Sequence, residues 1–410
     1  MRPCAATGRS GRLGSQCCTS SRTHLNQAAD NMLLVCGQYR VFPAPIPTAV
    51  VRTAHPEDPF GHALSSRARA RGLLLLAGRP MNRIKLAWGM LLIALAGGVV
   101  AGLLIGDGDL SDPSMRDTYL RLRTWRLGNA GLAGAALAAG GVLVQGLFRN
   151  PLASPSILGT TAGASLGGMV VLTVWNALLV GTIPEWLPAE LLLPVGCLLG
   201  AWLALLLLMS VIGRGANVIT VLLTGFILSS LFLSLGGLLT SMASEDFELG
   251  RAVVAFTLGG VEAKGAHHLY LALPMVVLGT AVAMSWTRHL DALLTGEDEA
   301  RSIGVDVVAV RRWAIIWTAT LTAAAVAIGG NVSFVGLVVP HALRPFVGVE
   351  HRRLLPAAFV GGAVFVIWAD ILVRLVPARG HVPLGVVTGL VGAPVFLFLL
   401  SRASRQGRLA

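Results

Sequence analysis

The chain is short of charge, of lysine and of any cysteine pattern. Charged residues make up 13% of the 410, and lysine occurs only at Lys85 and Lys264. Neither lysine follows a glycine, which excludes a Walker A loop, since that phosphate cradle needs Gly-Lys. Four of the five cysteines (Cys4, Cys17, Cys18, Cys36) lie near the start and Cys197 stands alone in an apolar run, so no disulfide framework or metal-ligand spacing emerges. The nine histidines do not recur at metal-ligand spacing: His267 and His268 are adjacent, and His341 follows Pro340. No basic domain or aromatic-basic stripe accompanies the formal charge of +12, which speaks against nucleic acid as a partner.

What is abundant is apolar sequence. Hydrophobic residues reach 54% and the mean hydropathy is +0.73, a balance that places the chain in lipid. The apolar runs are of roughly 18 to 25 residues, enough to span a bilayer as helices, and lack the alternation of a membrane barrel. The fold class expected is all-α and polytopic, with ten spans near 86–106, 127–147, 158–180, 188–212, 217–241, 268–287, 309–330, 334–347, 353–376 and 384–401. The eighth is short for a full crossing. With the amino end inside, 14 of the 22 Lys and Arg after Met81 fall inside and 8 outside, whereas the acids divide 6 inside, 10 outside and Asp370 within a span. That asymmetry puts both termini in the cytoplasm.

Residues 1–80 read differently. They hold ten Arg, three acids and no spanning run, so they would bury no core. "MNRIKLAWGMLLIALAGG" then begins at Met81 and enters the membrane at once. Met81 reads as the natural start, with residues 1–80 an upstream extension or a disordered tail, and residues 81–410 as the transmembrane domain.

The polar residues that remain are few. "QGLFRNPLASPSILGTTAGAS" (145–165) makes an inside turn at Asn150-Pro151, and its small residues let the following span pack closely. Outside, Arg121, Arg123 and Arg126 crowd the start of the second span and Arg374 closes the ninth, against the orientation rule. Either they snorkel to headgroups or they form a docking surface for an acidic partner. Asp370 and Arg374, four apart, share a helix face and offset each other's cost in the membrane. The inside loop "RHLDALLTGEDEARSIGVDVVAVRRW" (288–313) brackets a short helical stretch between Gly296 and Gly304, which reads as a projecting helix or as a solvated connector.

Together these residues resemble the FecCD or BtuC-like permeases of bacterial ABC importers for iron-siderophores, haem and cobalamin. The likeness is carried, in order, by "GAALAAGGVLVQGLFRNPLASPSILGTTAGAS" (134–165), "GEDEARSIGV" (296–305), "NVSFVGLVVPHALR" (331–344), "ADILVR" (369–374) and "PLGVVTGLVGAPVFLFLL" (383–400). The resemblance implies a ten-helix subunit in the bacterial inner membrane that pairs with a second copy, contacts membrane lipid, and is not itself an enzyme. It implies ATP-binding cassette subunits inside, which hold the ATP and magnesium, and a periplasmic or lipid-anchored substrate-binding protein outside; this chain would bind no cofactor. Gly296, Glu299, Ala300, Arg301 and Gly304 stand at the positions of the ATPase-coupling motif. Arg123, Arg126 and Arg374 match arginines that meet acids on the binding protein, and "TGFILSSLFLSLGG" (224–237) falls along the translocation path.

Three motifs depart from the family pattern. "RTWR" (123–126) has Trp125 for a proline, "FTLGG" (256–260) substitutes Phe256 and Gly260, and "HVPLG" (381–385) has His381 where an acid is usual. A secondary transporter or a membrane scaffold is the rival reading, and the scarcity of intramembrane carboxylates weighs against a proton-coupled carrier. Mass spectrometry of the mature protein is expected to find its first peptide at Met81; peptides from residues 1–80 would overturn that start.

Overall fold

The computed structural model describes residues 80–106, 108, 110–174, 192–211, 218–262, 264–376 and 382–405. They lie in one compact unit, Leu75–Ala410. The reading of residues 1–80 falls outside the described residues, apart from Pro80, and so does His381.

Among the described residues the regular structure is entirely helical. In order come α1 (Pro80–Leu104), α2 (Arg116–Leu147), a 3-10 turn (Pro155–Leu158), α3 (Thr160–Val174), α4 (Leu192–Val211), α5 (Val218–Ala243) and α6 (Phe247–Leu258). Then follow α7 (Ala266–Ser285), α8 (Thr287–Leu293), α9 (Glu297–Ser302), α10 (Val307–Gly329), α11 (Val335–Val347), α12 (His351–Leu375) and α13 (Leu384–Arg405). The helices α1, α2, α4, α5, α7, α10, α12 and α13 are long and apolar enough to cross a membrane, and α3 and α11 are shorter apolar helices. These are the ten segments expected. The eighth, α11, has 13 residues, about 20 Å of helix, and is indeed short of a crossing.

The central helix is α2. Every residue from Leu132 to Leu147 is buried, and α2 packs against α7, α10, α11 and α12. Glycine makes this possible, because lipid tails are as apolar as leucine and helices associate by close contact rather than by a hydrophobic force. A Cβ on Gly134 would fall on the carbonyl of Gly362 in α12, and one on Gly141 would fall on the carbonyl of Gly336 in α11. The helices α3 and α4 repeat the device, with Gly163 against Gly200 and Gly167 against Gly196. Gly163-Ala164-Ser165-Leu166-Gly167 has the spacing of a hydrolase nucleophile turn, but it lies within α3 with Ser165 buried. Its glycines serve helix contact.

Two departures from the expected elements have local causes. The second span begins at Arg116 rather than near 127, because the arginine-bearing segment continues the helix outward to partners on α1. The helix α6 was not expected; Asp246 starts it by accepting from the N–H groups of Glu248 and Leu249, and its Val253 and Phe256 turn inward.

Breaks within the bundle are closed by backbone and by Gln145. Leu384 at the start of α13 donates to the carbonyl of Gly259 (2.9 Å), and Gly260 donates to Gly329 (3.0 Å). Gly259 and Gly330 have positive φ there, 80° and 66°. Within α11, Pro340 supplies no N–H to the carbonyl of Gly336, and Gln145 Nε2 of α2 donates to it instead at 3.2 Å. Gln145 Oε1 accepts from Arg344 Nη2 at 2.6 Å.

Gly141→Val is expected to destabilise the protein in detergent by about 1–3 kcal/mol through overpacking against α11. Gly89→Ala, whose Cβ would meet nothing within 4 Å, is the matched control and should unfold with the wild type.

Candidate functional site: the arginine cluster and the Gly296–Gly304 projection

At the end of the bundle that the charge pattern assigns to the outside, Asp370 of α12 is 1% exposed and gathers two guanidiniums. Arg126 Nε donates to its two oxygens at 2.9 and 3.1 Å, and Arg126 Nη2 to Oδ1 at 2.8 Å. Arg374 Nε donates to Oδ2 at 2.9 Å, and Arg374 Nη2 makes a further short bond to the same atom. The Asp370–Arg374 pairing is the one expected from their spacing. Arg126 Nη2 also lies 3.5 Å from Glu262 Oε1, at the more exposed rim.

The remaining donors of these arginines serve the end of α1. Arg374 Nη1 donates to the carbonyls of Gly102 (2.7 Å) and Ile105 (2.9 Å). Arg123 Nη1 donates to Leu103 (2.8 Å) and Leu104 (3.1 Å), and its Nη2 to Gly106 (2.8 Å) and Gly108 (3.1 Å). The last carbonyls of a helix have no N–H of their own to accept, and they carry the negative end of its dipole. Two guanidiniums therefore both cap and neutralise α1.

The structure thus brings Arg123, Arg126 and Arg374 together, as their common outer position suggested, but turns them inward. Arg123 is 5% exposed, and the side chains of Arg374 and Arg126 are 3% and 15% exposed. Nearby Arg121, on the same outer segment, is exposed.

At the inner end, α8 and α9 form a short projection between α7 and α10. Gly296 and Gly304 bracket α9 with φ of 139° and 86°, so each turn uses a backbone that L side chains rarely adopt. Ala300 is the buried foot of α9, whereas Glu299, Arg301 and Gly304 are exposed, as is Ile303 at 71%. Arg301 pairs with Glu297 (3.4 Å) and Asp298 (3.2 Å), contacts exposed enough to contribute little to stability. Glu297 Oε1 also accepts from Arg311 Nη2 of α10 at 2.7 Å, tying α9 to the next span.

The sequence reading missed the residues that mount this projection. Asp291 of α8 accepts from the backbone N–H of His351 (2.8 Å) and lies 2.6 Å from its ring Nδ1. His351 begins α12 and is 2% exposed, its Nε2 edge pressed on Gly146 of α2. Burial pushes the Asp291 carboxyl up, but the hydrogen bonds from the His351 ring and N–H, with the histidine's charge, outweigh it and hold the carboxyl below its usual range. Sixty residues separate the pair, so no local spacing marks it.

A cavity of about 210 Å³ opens at the junction of α10 and α11, lined among others by Ser154, Ser156, Thr161, Asn331, Ser333 and Phe334. Its polar lining is hydroxyl and amide, able to hydrogen-bond but without a charged side chain. Among the described residues no three His, Cys, Asp or Glu side chains are placed to hold a metal ion.

Residues 83–402 match the model of the FecCD transport family. The chain belongs to this family. It is 37% identical over 287 residues to the Fe(3+) dicitrate transport system permease protein FecD of Escherichia coli, covering 69% of this chain and 86% of FecD. It is 33% identical over 343 residues to the hemin transport system permease protein HmuU of Yersinia pestis, covering 80% of this chain and 98% of HmuU. The cobalamin import system permease protein BtuC of Halobacterium salinarum is 34% identical over 269 residues, covering 65% and 69%. Among solved structures, an inward-facing conformation of a metal-chelate type ABC transporter superposes with a TM-score of 0.68 at 29% identity, covering 78% of this chain and 99% of that one. This FecCD protein is accordingly a multi-pass, all-α membrane permease.

Replacing Asp370 by Leu strands two buried guanidiniums and should cost about 3–5 kcal/mol of stability. Arg374→Ala should lower the unfolding temperature in detergent at low and at high salt alike, because the lost contacts are buried and weakly screened. A loss confined to low-salt binding of a partner would instead mark these arginines as a docking surface.

Proposed function

We propose that this chain is the membrane-spanning permease subunit of an ATP-driven importer that moves iron-siderophore, haem or cobalamin-type chelates into the bacterial cytoplasm. The observation that carries the reading is the pairing of the FecCD match with α9, a short exposed helix between two positive-φ glycines at the end of a ten-segment bundle that the charge pattern assigns to the cytoplasm. Separate ATPase subunits, which hold the ATP and magnesium, seat on α9 through Glu299, Arg301 and the turn at Gly304. Their closure on ATP displaces the projection and switches the bundle between outward and inward access. Two copies of this chain form the pathway, in the inner membrane with both termini in the cytoplasm, and a binding protein delivers the chelate outside.

For docking of that binding protein, the inward turn of Arg123, Arg126 and Arg374 supports a scaffolding part. They hold the ends of α1, α2 and α12 in the arrangement the partner meets, and Arg126 with Glu262 reaches the rim. As for the rival carrier, Asp370 is the carboxylate a proton relay would need, and two guanidiniums occupy it. Ser154, Ser156 and Asn331 fit a pathway that makes hydrogen bonds in passing and leaves selection to the binding protein.

Purified with its ATPase partner, the complex is expected to hydrolyse ATP and, in vesicles, to transport chelate only when ATP is supplied. Gly304→Trp, which fills the exposed turn and strains it, should uncouple or dissociate the complex. Transport driven by a proton gradient without ATP would replace this reading with the carrier, and a fully active Gly304→Trp complex would remove α9 from the mechanism.

A further inference from the structure

Asp291 and His351 are not assigned any part by the family resemblance, yet they sit where a stroke arriving at α9 must enter the bundle. The projection α8–α9 has two charged fasteners. One is Glu297 to Arg311, which ties α9 to α10, the span that directly follows it. The other is Asp291 to His351, which ties α8 to a span 60 residues away.

The second fastener is built tightly. One oxygen of Asp291 meets both the ring Nδ1 and the first N–H of α12, so the carboxylate holds a side chain and the positive end of the helix dipole together. Leu290 and Leu293 on either side of Asp291 are 1% and 2% exposed. On its other edge the ring packs closely on α2, where a Cβ at Gly146 would fall on Nε2. Three elements, α8, α12 and α2, therefore meet on one imidazole.

The helix that starts at His351 ends at the outer cluster. Its 25 residues, with Pro356 in the second turn, extend about 37 Å. Nineteen residues beyond His351, Asp370 holds Arg126 of α2 and Arg374, and Arg374 holds the final carbonyls of α1. A displacement of the projection thus has one helix, fixed by charge near both ends, along which to reach the outer face.

We propose that Asp291 and His351 are positioning residues for energy coupling, joining the α8–α9 projection to α12 so that α12 carries the movement to the outer arginine cluster. The proposal rests on the reading of α9 as the ATPase seat. It assigns the projection's contact with α12, rather than its link to α10, as the route to the outer side. The exposed residues of α9 are left to docking, and the pair of half-buried Asp291 with buried His351 to transmission.

The test uses the complete transporter in vesicles, measuring chelate transported per ATP hydrolysed alongside retention of the ATPase subunits. Asp291→Ala, His351→Leu and Gly146→Ala are expected to retain the ATPase subunits while transport per ATP falls by roughly threefold to thirtyfold. His351→Asn, whose amide N–H can stand where Nδ1 stands, should restore the ratio. The double variant Asp291→Ala/His351→Leu should be no worse than either single one, as expected for two halves of one contact. Should the Ala and Leu variants fail to accumulate, Asp291→Asn keeps an oxygen for the His351 N–H while giving up the charge, and a lowered ratio is expected from it too. A wild-type ratio in assembled variants, additive losses, or an Asn variant as impaired as the Leu one would overturn the proposal. Absence of ATP-driven transport in the wild-type complex would instead overturn the importer reading beneath it.

Discussion

Inside the bilayer the carbonyl of Gly336 has no helical donor, because the residue four positions on is Pro340, and Gln145 reaches across from α2 to supply one. The same need governs the outer end of α1, where carbonyls from Gly102 to Gly108 take donors from Arg374 and Arg123. Polar side chains are recruited to such carbonyls because the helix itself offers them no N–H. With so little charge in the chain, that recruitment decides what Arg123, Gln145 and Arg374 do. It also sets how close the helices must come, since an amide or guanidinium bridges only a few ångströms, and glycine provides the approach.

The outer arginines show how this need overrides a reading from charge placement. On a map of the sequence they violate the positive-inside pattern on one face, which suggests a surface awaiting an acidic partner. In the fold, Asp370 and the α1 carbonyls supply that acidity from within. Their position follows from which helix ends are there to be capped, and the cluster holds the ends of α1, α2 and α12 together.

The inner end is organised the other way round. The helix α9 spends its charges on itself and on α10 and leaves Glu299, Ile303 and Gly304 exposed. Behind it, half-buried Asp291 and buried His351 make a single charge-assisted contact at the start of α12. The α8–α9 projection is thus held more firmly on its α12 side, where His351 is buried, than at the exposed face of α9.

The membrane class, the ten segments and the inside projection were legible in the sequence, because apolar length and helix-breaking glycines are local properties. Gly296 and Gly304 could be placed as the brackets of α9 from spacing alone, and Asp370 with Arg374 from a four-residue interval on one helix. The pairing of Asp291 with His351, of Gln145 with Gly336 and Arg344, and of Arg126 with Asp370 could not, since each joins residues 60 to 244 positions apart. Periodicity says which face of a helix is apolar but not which neighbour covers it, and in lipid even that signal fades because both faces are apolar. The sequence by itself determined that this chain belongs in a membrane, which of its segments are apolar helices, and where the glycine-bracketed helix α9 falls. Only the tertiary structure decided where its scarce polar groups go, because that depends on which unsatisfied backbone groups and opposite charges the packed helices bring within hydrogen-bond reach.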